Sequence, residues 1–243
     1  MTLARQGYAQ ARVQARFGDL PETRDFRLLD ASRDAAHFQD ALRTRKFARY
    51  VPGLGPAVDS DGLEARLRSR WRGLCAEVAH WYEPQWQDAF RAFSAYPDLA
   101  TLEYLRAGGA VTAWMRSDPL LAPVAREPSA VRPAVVASTY GAAIGRGFAD
   151  GRPLGRDWLR AWRATWPRVE RTPEQRLLQI AREISIPDVV SAATDVRSRL
   201  ERLFRRGSLT VVAGFVYLAI VALVIGRIRG GHAARLLPPL VRG

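Results

Sequence analysis

The sequence predicts an all-α protein in which a soluble multi-helix domain is followed by a single C-terminal transmembrane helix. The first observation is a stretch of twenty residues, 207–226, that carries no charge and has arginines on both sides. At about 1.5 Å per residue, a helix of this length reaches roughly 30 Å, the thickness of the hydrocarbon core of a bilayer. The second observation is that apolar residues elsewhere recur every three or four positions and never alternate for long with a period of two.

This pattern divides the chain into four parts. A soluble helical domain takes residues 1–185, a basic juxtamembrane helix 186–206, the transmembrane helix 207–226 and a short basic tail 227–243. Apolar side chains point all round the third part, whereas a surface helix of a soluble protein has a polar face. The alternative is a buried hairpin helix in a large soluble core, which the length of the apolar stretch disfavours.

The first fifty residues predict three helices. Apolar residues at helical spacing indicate one helix over 3–17 and a short one over 22–29. Ser32 is placed to cap a third helix that runs to Arg43. Two prolines and two glycines in 51–56 then indicate a loop, because neither residue type continues a helix readily.

The clearest soluble helix follows that loop, with Asp61 or Ser60 as its cap. Its apolar residues step by three or four along one face, on which lie Leu63, Leu67, Trp71, Leu74, Val78 and Trp81. Glu64 and Arg68 are among the charged residues of the opposite, solvent-facing side. We expect this helix near the centre of the helical domain.

Prolines mark the boundaries of the next helices. Pro84 suits the first turn of a helix that ends at Tyr96-Pro97, and Asp98 is placed to cap the next one. The apolar stretch 134–148 contains fewer than about eighteen residues, so it is too short to span a bilayer and indicates a buried helix.

A tryptophan stripe marks the helix predicted over 157–166. Trp158, Trp162 and Trp166 are spaced four apart and therefore lie on one side of it. Tryptophans at this spacing are more often buried in the core of a protein. Because basic residues flank them, a membrane interface or a partner contact is the alternative. A further helix begins at Thr172, and residues 187–206 show nothing that would stop a last helix before it enters the bilayer.

The charge distribution favours anionic lipid as the first partner. The chain has a formal net charge of +13, and nine arginines but only three acidic residues lie in 186–243. A basic group beside an anionic leaflet contributes about 1 kcal/mol to binding. We therefore expect the membrane surface to be contacted by the arginines nearest the span, which are Arg197, Arg199, Arg202, Arg205, Arg206, Arg227 and Arg229. No nucleic-acid-binding module is recognisable, so nucleic acid is not an expected partner.

Motifs for catalysis are not recognisable in the sequence. The three histidines lie in separate segments, and Cys75 is the only cysteine, so no familiar zinc or thiol site can be assembled. Neither a phosphate-binding loop nor a Gly-x-Ser-x-Gly motif occurs. We expect a protein that is not an enzyme, with no cofactor, no metal and no identified small-molecule substrate.

The opening of the chain carries a resemblance to a known family. Residues 8–16 read Tyr-Ala-Gln-Ala-Arg-Val-Gln-Ala-Arg, and Leu28-Leu29, Ser32, Phe38-Gln-Asp-Ala-Leu42 and Tyr50 follow. This pattern resembles the first module of the C/d subunit of V-type and A-type rotary ATPases, which begins with an aromatic-x-x-Ala-Arg-Val-Arg helix. The family's body is usually longer, with three related modules, and ordinarily lacks a membrane span of its own.

The resemblance implies an all-helical, non-catalytic adaptor that seats a central stalk on a membrane ring. Its partners would then be other subunits of a membrane complex. Two alternatives to this interpretation are a tail-anchored scaffold of an unrelated membrane complex and, as the less favoured one, a helical membrane-associated enzyme. Candidate partner contacts are Tyr8, Arg12 and Arg16 in the resembling segment, together with Trp158 and Trp162.

We expect a single-pass protein of the bacterial inner membrane with its body in the cytoplasm. Residues 1–10 contain no apolar run typical of a signal peptide. Five arginines precede the span and four follow it, so the positive-inside rule gives only weak support. The short tail 230–243 is then the part that crosses the membrane.

Overall fold

All regular elements of the described residues are helical, in a computed structural model that describes residues 3–56, 58–126, 131–167, 171–184 and 189–236. The α-helices in chain order are α1 Leu3–Gly18, α2 Thr23–Asp30, α3 Ala35–Arg43, α4 Ser60–Trp81, α5 Pro84–Ser94, α6 Asp98–Arg106, α7 Ala113–Ser117, α8 Val131–Ala137, α9 Gly141–Ala149, α10 Leu154–Ala164, α11 Arg171–Ile184, α12 Val189–Arg206 and α13 Val211–Leu236. A 3₁₀ helix, Arg45–Tyr50, follows α3. The all-α fold class is confirmed.

The chain forms two compact units. The predicted boundary at residue 185 lies outside the described residues and stays a prediction. Unit 1 combines residues 1–82 with 170–243, and unit 2 takes 83–169. Unit 1 is discontinuous because α13 returns to contact α1, α3 and α4, while α11 and α12 pack with α13. Sequence periodicity does not contain this information, since it reports which face of a helix is apolar and not what covers that face.

The predicted face of α4 is confirmed, because its six apolar residues are buried. The cap differs from the expectation: Asp59 precedes the helix, and its carboxylate accepts a hydrogen bond from the Gly62 N–H at 2.7 Å. Helix α3 likewise begins after Asp34, whose side chain accepts from the His37 N–H, and not after Ser32. In both helices the capping residue is again a short polar residue, one or two positions away from the predicted one.

Helix α13 is the one described helix that is long and apolar enough to cross a membrane, judged by length and composition. It begins at Val211 and continues through Gly226 to Leu236, so it is shifted towards the C-terminus relative to the predicted 207–226. It contacts α1, α3, α4, α11 and α12, and 78% of the residues in its apolar stretch are buried within the protein. In this structure α13 is therefore the inner helix of unit 1, which is the arrangement of the buried-hairpin alternative.

Unit 2 has an aromatic core. The rings of Trp158 and Trp162 stack with centroids 5.3 Å apart, and both side chains are buried. Their indole N–H groups donate to the carbonyl oxygens of Ala92 and Ala89, at 3.1 and 3.0 Å. The two tryptophans are thus core residues of unit 2, and their alternative assignment as partner contacts is corrected.

Candidate functional site: the α12–α13 hairpin

A tight turn joins α12 to α13 where the sequence predicts an uninterrupted helix entering the bilayer. Residues 207–210 are not helical, and the Thr210 N–H donates to the carbonyl oxygen of Gly207 at 3.1 Å. Helices that are linked by so short a connection and contact each other form a helical hairpin. Gly207 to Thr210 carry no charge, so neither composition nor periodicity reveals the turn.

Leu209 is the exposed residue at the tip of this hairpin. Its φ of 61° lies in the left-handed region, which non-glycine residues rarely adopt, and its side chain is 54% exposed. The Leu209 N–H donates to Oε1 of Gln10 on α1 at 2.8 Å. A hydrogen bond to α1 therefore helps to hold Leu209 in a strained backbone conformation with its large apolar side chain in solvent. Strained backbone conformations occur more often at functional sites than elsewhere.

Three exposed arginines at the end of α12 lie close to Leu209 in sequence. They are Arg202, Arg205 and Arg206, and no described carboxylate forms an ion pair with them. Nearby hydrogen bonds use main-chain oxygens instead, since Ser208 donates to the Arg205 carbonyl and Arg176 to that of Arg206. Three of the seven arginines predicted to contact a membrane are thus available at the hairpin tip.

The other two arginines of α12 pair with carboxylates of the same helix. Arg197 donates to Glu201 at 2.8 Å and to the Pro21 carbonyl oxygen at 2.7 Å, and its side chain is 25% exposed. Arg199 pairs with Asp195 one turn earlier. Both guanidinium groups therefore have protein partners in this structure, and their assignment as membrane contacts stays a prediction.

The arginines at the far end of α13 also bind unit 1. Arg227 pairs with Asp30 at 2.5 Å and lies over the Phe26 ring, 4.2 Å from its centroid. Arg229 forms two hydrogen bonds with Glu64, at 2.6 and 2.9 Å. While α13 is packed in unit 1, both arginines are therefore paired with carboxylates of the protein, and their assignment as membrane contacts stays a prediction.

Glu64 is the centre of a buried ionic triad that sequence analysis placed on a solvated surface. Its side chain is 12% exposed and accepts from Arg68 at 2.6 Å as well as from Arg229. Burial raises the pKa of Glu64, but the charges and hydrogen bonds of Arg229 and Arg68 outweigh burial, and the net pKa lies below its ordinary value. Arg229 is 165 residues away, so no local pattern could have predicted the triad.

The remaining predicted partner contacts lie on α1. Tyr8 is 55% exposed, and Arg12 is exposed with its guanidinium 5.4 Å from the ring centroid of Trp81. Arg16 is only partly exposed and pairs with Glu77 at 2.5 Å. Tyr8 and Arg12 thus remain accessible to a partner, whereas Arg16 is bound within unit 1.

No family, curated protein or solved structure matches the chain in comparisons with known proteins. Among the described residues, no group of three or more histidine, cysteine or acidic side chains is placed to hold a metal ion. The hairpin itself combines an exposed apolar tip, three exposed arginines and an apolar helix that ion pairs hold at its end.

Proposed function

We propose that the protein is a membrane-associated, non-catalytic adaptor whose α12–α13 hairpin is its membrane-binding element. The observation that carries this proposal is the hairpin itself. It places the exposed Leu209 and three arginines without carboxylate partners at the start of a helix long and apolar enough to span a bilayer. Basic groups bind anionic headgroups, and an apolar side chain beside them enters the acyl region.

In this proposal α13 has two environments, the interior of unit 1 and the bilayer. Its apolar surface is removed from water in both, so hydrophobic burial alone does not hold it in the body. We call the form in which α13 is packed inside unit 1 the body-packed form. It depends instead on specific contacts, chiefly the pairs of Arg227 with Asp30 and Arg229 with Glu64. When they open, α13 becomes the single membrane span, with the body in the cytoplasm of a bacterial cell.

The partner that we propose to test first is a rotary ATPase of the V or A type. Support comes from the resemblance of residues 8–50 to the first module of the C/d subunit and from the exposure of Tyr8 and Arg12 on α1. Purification in mild detergent with identification of co-migrating proteins is the test. Recovery of ATPase subunits supports this partner, whereas recovery of an unrelated complex favours a tail-anchored scaffold.

Flotation with lipid vesicles tests the membrane element. The full chain is expected to float with vesicles of phosphatidylglycerol and phosphatidylcholine, and less with phosphatidylcholine alone. Leu209→Asp is expected to reduce flotation strongly, because it removes the apolar tip and adds a negative charge. Leu28→Asp is the matched control, since Leu28 on α2 is 57% exposed and the charge change is the same. Equal loss in both variants would show that the tip has no special role.

A further inference from the structure

A buried histidine and a buried glutamine join the end of α13 to α3. His232 on α13 is 4% exposed, and Gln39 on α3 is 5% exposed. Nε2 of His232 lies 3.3 Å from Nε2 of Gln39, within hydrogen-bond distance. The Phe38 ring centroid is 6.2 Å from that of His232, and a Cβ on Gly231 would be only 2.9 Å from Cε2 of Phe38. Helices α3 and α13 therefore approach each other closely at this point.

The side-chain amide of Gln39 has a fixed orientation. Its Oε1 accepts a hydrogen bond from the Val58 N–H at 3.2 Å, and its Nε2 donates to the carbonyl oxygen of Val58. Turning the amide over would place donor against donor and acceptor against acceptor, so both hydrogen bonds would be lost. Nε2 of Gln39 is therefore the amino group, and its second hydrogen is the one available to His232.

This orientation determines the protonation state of His232 in the body-packed form. Because Gln39 presents a donor, Nε2 of His232 is the acceptor and carries no hydrogen. The ring is then neutral, with its hydrogen on Nδ1. Protonation of Nε2 would place a donor against a donor and bury a positive charge, and both changes are costly in a protein interior.

The charged groups near this end of α13 do not compensate a positive charge on His232. In the part of the chain that the structure describes, no carboxylate forms an ion pair with its ring. Arg235 lies one turn further along α13, with its guanidinium 4.5 Å from the Phe38 ring centroid, and adds a like charge. The carboxylates of α2, α3 and the start of α4 have partners of their own, which are Arg227 for Asp30, His37 for Asp34, Arg43 for Asp40, the Gly62 N–H for Asp59, and Arg68 and Arg229 for Glu64.

We propose that the contact between His232 and Gln39 is a pH-sensitive switch that holds α13 in the body-packed form only while His232 is neutral. A histidine in water takes up a proton below about pH 6.5. Separation of α13 from α3 exposes the ring to water, so proton uptake favours the separated form. The entry of the released helix into a bilayer rests on the proposed function, whereas the switch itself does not.

Nuclear magnetic resonance of the full chain in solution tests the protonation state directly. At pH 7, correlation of the ring nitrogens with the carbon-bound ring hydrogens is expected to show a neutral His232 with its hydrogen on Nδ1. The signals are assigned by their loss in His232→Gln. A His232 that is charged at pH 7, or that carries its hydrogen on Nε2, would overturn the proposal.

Urea unfolding at pH 7 and pH 5.5 tests the effect on stability. Acidification over this range is expected to raise the unfolding equilibrium constant of the wild type by up to about eightfold through His232. His232→Gln keeps an acceptor for Gln39 but cannot take up a proton, so its change is expected to be much smaller. The carboxylate of Glu64 stays ionised in this range.

The two other histidines of the chain provide matched controls. His37 and His80 are exposed residues of unit 1, so His37→Gln and His80→Gln are expected to retain the wild-type response to acid. Protonation of His37 beside Asp34 would in any case stabilise the folded chain and act in the opposite direction. An equal response in wild type and His232→Gln would overturn the proposal.

Flotation with anionic vesicles at the same two pH values separates the switch from the membrane role. Acid is expected to increase flotation of the wild type more than that of His232→Gln. If stability depends on pH through His232 but flotation does not, the switch is supported and the proposed membrane role of α13 fails. If flotation occurs and both proteins respond equally to acid in both measurements, the switch fails and the membrane role is retained.

Discussion

Gly214 of α13 lies against the ring of Tyr82, so closely that a Cβ at this glycine would be 2.6 Å from Cε2 of the tyrosine. Real Cβ atoms do not approach other atoms so closely, and Tyr82 is 2% exposed, with little room to move. Only a glycine at this position permits the observed packing of α13. The contact also distinguishes the two proposed environments of α13. A larger side chain at residue 214 is excluded in unit 1 but is not excluded in the hydrocarbon of a bilayer.

Gly214→Leu is expected to destabilise the body-packed form by about 1–3 kcal/mol, the usual cost of forcing a larger side chain into a packed core. The same change makes α13 more apolar, so the fraction of protein bound to vesicles is expected to rise. Urea unfolding followed by circular dichroism measures the first effect, and flotation measures the second.

Gly226→Leu is the control for that experiment, since Gly226 is exposed on α13 and a Cβ there would meet nothing within 4 Å. It adds the same side chain to the same helix without a clash. If both variants unfold at the wild-type urea concentration, the contact between Gly214 and Tyr82 does not exist in solution.

Arg229→Met is expected to lower the free energy of unfolding by about 1–2 kcal/mol. The variant removes one partner of the buried Glu64 but leaves Arg68, and Arg229 is itself 40% exposed, so the loss is smaller than for a fully buried pair. Urea denaturation at neutral pH is the measurement. Arg202→Met, which removes an exposed arginine from α12, is expected to change stability by less than about 0.5 kcal/mol. Equal effects of the two substitutions would argue against the triad.

The stability of unit 1 is expected to depend on the ionisation of Glu64. Because the folded pKa of Glu64 is lowered from 4.5, its contribution is complete above that value and is lost as pH falls through the lower folded pKa. Acid below about pH 4.5 should therefore loosen α13 and increase vesicle binding. Unfolding free energies measured across this range check the prediction, and Glu64→Gln should flatten the dependence. A wild-type profile unchanged by Glu64→Gln would be inconsistent with it.

Replacing Arg202, Arg205 and Arg206 together by glutamine is expected to weaken binding to anionic vesicles by about 2–3 kcal/mol and to reduce its salt dependence. The matched control removes three exposed arginines of unit 1 in and after α2, namely Arg24, Arg27 and Arg33. Both variants lose the same net charge. If binding falls equally in both, the attraction comes from overall charge and not from the hairpin tip.

Local patterns predicted most helices but not the contacts among them. The apolar face of α4 is buried as its spacing indicates, because that spacing reports one helix at a time. The sequence places Glu64 and Arg68 on a solvated surface and Arg197 at the membrane surface, yet all three have partners inside unit 1. Arg229, which binds Glu64, and Pro21, which accepts from Arg197, are far away in sequence from these partners. The uncharged turn at Leu209 gives no signal that the chain returns to form such contacts.

Alkaline carbonate extraction of membranes from cells that produce the full chain tests the central claim, that α13 can enter a bilayer. Carbonate removes proteins bound only at the surface and leaves membrane-spanning ones in the pellet. We predict that the chain stays with the membranes and that Gly214→Leu increases the retained fraction. Complete release of wild type and Gly214→Leu as folded, soluble protein would contradict it and leave α13 as the core helix of a soluble bundle.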